Sequence, residues 1–232
     1  QTYGADGKWG IGRYSSLEGY VAKTTTPGLS GRDYAFNVSA DHDSPTWLLS
    51  AGYREVGNNF NPTVGFLRRL DYRRPSGMVL YRWRPDDLWG LLELRPHASY
   101  TGYWRPDGFY ESGKLHVDNH WEWRSGWELH TGINFTQEGV LEPFEIYPGV
   151  IVPAGTYEHE EAQIVFFTNQ GAISSLVTKD DVVISDFPGQ QRVIVVDEVA
   201  VGEVIGPLPL PLETGGDGIV AQRFFVNRQD ID

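Results

Sequence analysis

Acidic and imidazole side chains recur at every second position between residues 91 and 136, which is the spacing of one face of a β-strand. Opposed carboxylates are the groups that acid–base catalysis requires, and neighbouring imidazoles and carboxylates can ligate a metal ion. The same residue types also line water-filled barrels as ladders of mixed charge. The candidate residues are Glu93, Arg95, His97, His116, Asp118, His120, Glu122, Glu128 and His130.

The alternation places these side chains on β-strands, and compact turn signals separate one alternating segment from the next. Connections this short cannot hold crossover helices, so neighbouring strands are expected to be antiparallel. The sequence therefore predicts an all-β protein built as an antiparallel up-and-down meander. The four turn signals lie at Arg74-Pro75-Ser76-Gly77, Arg84-Pro85-Asp86-Asp87, Arg105-Pro106-Asp107-Gly108 and Ser125-Gly126.

The reversal near residue 125 predicts a definite pairing of strands. Trp123 and Trp127 stay on one face only if residues 124–126 form a three-residue loop with Gly126 in the left-handed conformation. The pairs expected from this loop are His120 with His130, Glu122 with Glu128, and His116 with Asn134.

The reversal at residues 105–108 predicts a second pairing, on the assumption that all four residues form the loop. Together the two reversals gather the nine candidate residues on one polar surface of three strands. The pairs expected from the four-residue loop are Arg95 with Asp118, Glu93 with His120, and His97 with His116.

A solvated wall is the favoured interpretation of this polar surface, since charged ladders are ordinary in barrel lumens. On that interpretation no metal ion, cofactor or catalytic residue is expected. The alternative is a glycoside hydrolase with Glu122 and Glu128 as its carboxylate pair, because Cβ atoms of opposed strand residues lie about 5 Å apart, closer to retaining than to inverting spacing.

Composition excludes several other classes of protein. The chain has 232 residues and a formal net charge of −12, and it contains no Cys, which rules out disulfide scaffolds and thiolate metal sites. Residues 1–125 hold 15 basic and 14 acidic side chains, whereas residues 126–232 hold 4 and 17, so a broad basic face for nucleic acid is absent. No apolar run approaches the roughly 18 residues of a transmembrane helix.

Strand length and tryptophan placement favour a membrane barrel over a soluble core. A strand of about 14 residues spans on the order of 45 Å, long for a soluble sandwich and sufficient for a tilted membrane strand. All 8 Trp residues lie within a few residues of a predicted turn, where a barrel places its interfacial aromatic girdles.

Two stretches carry a resemblance to a known family. They are residues 57–73 (GNNFNPTVGFLRRLDYR) and residues 142–157 (EPFEIYPGVIVPAGTY), the latter running on to TNQG at residues 168–171. They resemble the C-terminal, barrel-like domain of unknown function in large bacterial surface proteins that carry an N-terminal family-9-type carbohydrate-binding module. The resemblance covers roughly residues 30 to 181. It implies an outer-membrane β-barrel associated with glycan binding or uptake, with no catalytic residues to transfer.

These observations predict an antiparallel meander or barrel over residues 1–181, followed by an atypical acidic tail over residues 182–232. The expected function is that of a non-catalytic barrel component in the outer membrane of a Gram-negative bacterium, serving glycan binding, uptake or surface anchoring. The expected partners are the lipid bilayer, carbohydrate, and another chain that completes the sheet. Two alternatives remain open: a secreted or periplasmic β-sandwich that binds or hydrolyses carbohydrate, and a structural subunit of a larger assembly.

Overall fold

The computed structural model describes residues 1–62, 65 and 67–169 with their side chains, and residues 177–186 and 193–201 by their backbone. Within these described residues, no helix is long and apolar enough to cross a membrane. The strands are β1 (Thr2–Ile11), β2 (Ser15–Thr24), β3 (Tyr34–Asp43), β4 (Trp47–Val56), β5 (Tyr72–Tyr81), β6 (Leu91–Trp104), β7 (Tyr110–Trp123), β8 (Glu128–Val140), β9 (Phe144–Tyr147), β10 (Val150–Val152), β11 (Gly155–Phe167), β12 (Val177–Asp186) and β13 (Val193–Val201).

Eleven of the described strands form one sheet in the order β1-β2-β3-β4-β5-β6-β7-β8-β11-β12-β13, and β9 pairs with β10 in a separate hairpin. Every pairing is antiparallel, so the predicted all-β, up-and-down meander is confirmed. The sheet continues across the predicted boundary between residues 181 and 182, because β12 spans it. Residues 202–232 of the predicted tail lie outside the described residues.

The three-residue reversal between β7 and β8 is confirmed. Gly126 has a φ of 82°, and its N–H donates to the Trp123 carbonyl oxygen at 2.9 Å. The Trp123 N–H donates to the Trp127 carbonyl oxygen at 2.9 Å, which closes the loop around residues 124–126. The three predicted pairs are all present: His120 with His130, Glu122 with Glu128, and His116 with Asn134.

The predicted pairing between β6 and β7 is wrong by two residues. The loop is shorter than expected, because the Arg105 N–H already donates to the Phe109 carbonyl oxygen at 2.8 Å. The ladder then shifts again between Tyr103 and Trp104, leaving Glu111 as an extra residue of β7. Two shifts of one residue each in the pairing of β6 with β7 leave every side chain on its predicted face. The polar surface therefore has the predicted residues, but they pair differently across the two strands. The observed pairs are Arg95 with His120, His97 with Asp118, and Glu93 with Glu122.

The turn predicted at residues 74–77 is also wrong, since these residues lie inside β5. Pro75 faces Tyr53 of β4, and the ladder from β5 to β6 passes from Arg73 directly to Ser76. Proline has no N–H to donate, so it is accommodated at this gap in the ladder. The connection from β4 to β5 is instead a long segment, residues 57–71.

From β4 to β8 the sheet has one polar and one apolar face, and the apolar face is the more exposed one. A row of apolar side chains runs across it from Leu49 through Val79, Ala98 and Val117 to Ile133. Val117 is 44% exposed and Ile133 is 47% exposed, whereas Asp118 on the polar face is only 6% exposed. This is the reverse of a soluble sheet, which buries its apolar face.

Aromatic side chains mark both edges of the apolar face. We call the edge where β1, β3, β5 and β7 end the tryptophan edge, and the opposite edge the tyrosine edge. Trp104 ends β6 at the tyrosine edge, where Tyr34, Tyr53 and Tyr110 also lie. The seven residues at the tryptophan edge are Trp9, Trp47, Trp83, Trp89, Trp121, Trp123 and Trp127.

A small apolar core covers the polar face of the sheet at the tyrosine edge. Phe60, from the segment after β4, packs against Ala35, Val56 and Tyr72 of three neighbouring strands. The segment is anchored by the Asn61 N–H, which donates to the fully buried Thr24 hydroxyl oxygen at 3.0 Å. Phe60 and Asn61, near the start of the segment after β4, therefore cover the polar face at this end.

Candidate functional site

The structure brings all nine candidate residues together on the polar face of β6, β7 and β8, and we call this set the polar patch. Strand pairing arranges it in four cross-strand rows, because each strand contributes every second residue. The rows, written in the order β6, β7, β8, are Glu93-Glu122-Glu128, Arg95-His120-His130, His97-Asp118-Gly132 and Ser99-His116-Asn134.

Arg95 is the centre of the carboxylate rows. Its guanidinium lies 3.7 Å from Glu93, 3.5 Å from Glu122 and 3.6 Å from Glu128, counted between nitrogen and oxygen atoms. Glu93, which is 8% exposed, also forms an ion pair with Arg84. A buried carboxylate requires such partners, since an unpaired charge in this environment is costly.

The four imidazoles of the polar patch form a continuous cluster. His120 and His130 stack with their ring centroids 3.6 Å apart and their planes 8° apart. The His97 ring lies 4.9 Å from His120 and 5.2 Å from His116, centroid to centroid. His130 also reaches the Glu128 carboxylate, with Nε2 3.1 Å from Oε2.

Asp118 is the most buried member of the polar patch. One carboxylate oxygen, Oδ1, accepts the Thr131 N–H at 3.0 Å. The other oxygen, Oδ2, lies 3.4 Å from Nε2 of His120 and 3.6 Å from Nε2 of His116. Asp118 therefore faces imidazoles, and the predicted pair with Arg95 does not form.

Two residues contribute to the site although the candidate set omits them. Arg84 lies near Glu93 because Trp83, in the connection before β6, exchanges backbone hydrogen bonds of 2.9 and 2.8 Å with Leu94 inside β6. The alternation of side chains did not indicate Arg84, because this residue belongs to a predicted turn and not to a strand. Asn134 accepts a hydrogen bond from His116. The sequence did predict that these two residues pair across the strands, and that pairing could have added Asn134 to the candidate set.

Glu122 and Glu128 lie directly opposite each other, as the hydrolase alternative requires. Both carboxylates share the Arg95 guanidinium, and Glu128 also contacts His130. The arrangement is that of an ion-pair ladder across neighbouring strands, a common way to build a polar wall.

Comparisons with protein-family models, with curated proteins and with solved structures found no match to the chain.

Proposed function

We propose that the chain forms wall strands of a β-barrel in a bacterial outer membrane, with its apolar face against lipid and its polar patch toward an aqueous lumen. The observation that carries this proposal is the inverted exposure of the sheet. Ile133 is 47% exposed on the apolar face, and its neighbour Asn134 on the polar face is 3% exposed. Outward apolar and inward polar side chains are the defining alternation of membrane barrels.

The dimensions of the apolar face suit a bilayer. Along β7, Tyr110 at the tyrosine edge and Trp121 at the tryptophan edge are separated by eleven residue steps. At about 3.3 Å per residue and a tilt of about 40°, this corresponds to roughly 28 Å along the membrane normal. An outer-membrane barrel has an apolar band about 25 Å tall between its aromatic girdles.

Polar tips at the tyrosine edge fit a membrane interface. The hydroxyl groups of Tyr34 and Tyr53 donate to the Glu55 carboxylate at 2.8 and 3.2 Å. Arg73 pairs with the same carboxylate at 3.4 Å. Tyrosine is enriched where one end of the ring meets hydrocarbon and the other meets water, which is the position the proposal gives these side chains.

The association with carbohydrate follows from the family resemblance, and the polar patch supplies the imidazole and carboxylate groups that a lumen ligand would meet. A partner chain fits the edge of the sheet. β1 begins the sheet order of the described strands, all ten of its residues are exposed, and an edge strand offers backbone groups to a further strand.

Phase separation in a detergent that clouds on warming tests the membrane assignment. We expect the folded chain to enter the detergent-rich phase with its β-sheet circular dichroism intact. A folded chain that stays in the aqueous phase would contradict the proposal.

The same preparation discriminates the hydrolase alternative. Because a wall residue performs no chemistry, the parent chain, Glu122→Gln and Glu128→Gln are all expected to enter the detergent-rich phase equally and to hydrolyse no glycan. Hydrolysis of a glycan by the parent, lost in either variant, would instead establish the enzyme.

A further inference from the structure

Three side chains of the polar patch converge in a way that an ion-pair wall does not require. We infer that His97, His116 and Asp118 form a binding site for a divalent transition-metal ion, with Zn²⁺ the ion that suits it best. Imidazole nitrogen and carboxylate oxygen are zinc ligands, and this inference does not depend on where the protein is located.

The distances fit metal coordination. Among the described residues, ligand atoms of His97, His116 and Asp118 all lie within 4.8 Å of one another. Oδ2 of Asp118 is 3.6 Å from Nε2 of His116 and 3.4 Å from Nε2 of His120. Ligands about 2.0 to 2.1 Å from a tetrahedral zinc ion lie about 3.3 Å apart, so the 3.6 Å between Asp118 and His116 needs little adjustment to hold the ion.

Two of the imidazoles are oriented by hydrogen bonds from their other nitrogen. Nδ1 of His97 lies 3.0 Å from the backbone carbonyl oxygen of Arg95. Nδ1 of His116 lies 2.7 Å from Oδ1 of Asn134. Because these oxygens accept, each Nδ1 carries the hydrogen, and Nε2 of the neutral ring keeps a lone pair for a metal ion. Metal-binding histidines are oriented in this way in known sites.

The carboxylate is held in place and has space beside it. The Asp118 side chain is 3% exposed, and its Oδ1 is fixed by the Thr131 N–H at 3.0 Å. The residue opposite Asp118 on β8 is Gly132, where an added Cβ would lie 3.1 Å from Oδ2. A side chain at this position would occupy space next to the ligand atoms.

The local charge favours a dication. Among its carboxylate and guanidinium groups, the polar patch holds four carboxylates and the single guanidinium of Arg95. Arg84 adds a second guanidinium through Glu93. Two negative charges remain uncompensated among these groups, and a divalent ion would neutralise them.

Titration of the full chain, folded in detergent, with Zn²⁺ against a chromophoric chelator tests this site, and Co²⁺ reports the geometry by its visible absorption. We expect one ion per chain, with affinity reduced at least tenfold in His116→Ala and in Asp118→Asn, which is nearly isosteric. Asn134→Ala removes the carboxamide whose oxygen orients His116 but no proposed ligand, and it should weaken binding about 10- to 100-fold.

The matched control is His42→Ala. The His42 imidazole lies outside the polar patch, and its Nδ1 is 2.8 Å from the Ser15 hydroxyl oxygen. Its removal should therefore leave the zinc affinity unchanged. Circular dichroism verifies the fold of each variant, and Asp118→Asn carries the test if His116→Ala fails to fold. The inference is overturned if no ion binds stoichiometrically, or if Asp118→Asn and Asn134→Ala bind Zn²⁺ as tightly as the parent chain.

Discussion

Asp118 lies directly opposite Gly132, and a Cβ added to Gly132 would lie 3.1 Å from both Cγ and Oδ2 of the aspartate. The glycine therefore makes room for the carboxylate that anchors the imidazole cluster. Such a contact is tighter than ordinary van der Waals separation, so a larger side chain must displace the carboxylate or shift the strands.

Gly132→Val is expected to lower the free energy of unfolding by about 1 to 3 kcal/mol, because added atoms overpack the contact. Urea unfolding in detergent, followed by tryptophan fluorescence, measures the change. Gly7→Val is the matched control, since Gly7 also lies in a strand but has no atom within 4 Å of an added Cβ. Equal effects of the two substitutions would show that Gly132 has no special role.

Glu55 should contribute far more to stability than an exposed glutamate in an ion pair. Its side chain is 9% exposed and faces Arg32 at 3.8 Å and Arg73 at 3.4 Å. Glu55→Ala leaves the Arg73 guanidinium without a carboxylate and removes the acceptor of the Tyr34 and Tyr53 hydroxyls, so it is expected to cost about 1 to 3 kcal/mol. Glu18→Ala removes an exposed pair with Lys8 and should cost under about 1 kcal/mol. Urea unfolding would refute the difference if both variants shifted equally.

A charge on the apolar face should prevent stable insertion into a bilayer. Ile133 and Leu141 are 47% and 48% exposed, but Ile133 lies in β8 and Leu141 in the connection that follows it. Ile133→Arg is expected to destabilise the inserted protein by about 2 to 4 kcal/mol, the cost of arginine near the midplane of a bilayer, and Leu141→Arg by much less. Folding yields into liposomes measure both. Identical yields would mean that the apolar face does not contact lipid.

Tryptophan depth gives an independent prediction. Seven of the 8 Trp residues lie at the tryptophan edge, which the proposal places at a membrane interface. Lipids brominated close to the headgroup should therefore quench the fluorescence more than lipids brominated near the ends of the acyl chains. Stronger quenching by the deep bromines would place the tryptophans in the wrong part of the bilayer.

Alternation of side chains predicted which residues share the polar face, because the period of a strand is fixed by backbone geometry. Pairing was predictable at residues 124–126, where Gly126 supplies the left-handed residue of the loop. It failed at the preceding reversal, since the bulge at Glu111 depends on contacts between strands and leaves no mark in composition.

The predicted turn at Pro75 failed for a related reason. Proline and glycine indicate both turns and gaps in a ladder, and sequence alone does not distinguish them. Arg84 was missed as a site residue because a connection brings it to Glu93 through tertiary contact. Local pattern fixes the face of a side chain, whereas its partners depend on loop lengths and bulges.

The most direct measurement is the accessibility of nitroxide labels in the protein reconstituted into liposomes. The chain has no Cys, so Val117→Cys, Ile133→Cys and Leu141→Cys each give a single labelled site. These three side chains are 44%, 47% and 48% exposed, so a water-soluble protein would show similar collision rates at all three. We predict that labels at 117 and 133 collide with oxygen and are protected from a water-soluble nickel complex, while the label at 141 is relaxed by the nickel complex. Equal relaxation of all three by nickel would contradict the account.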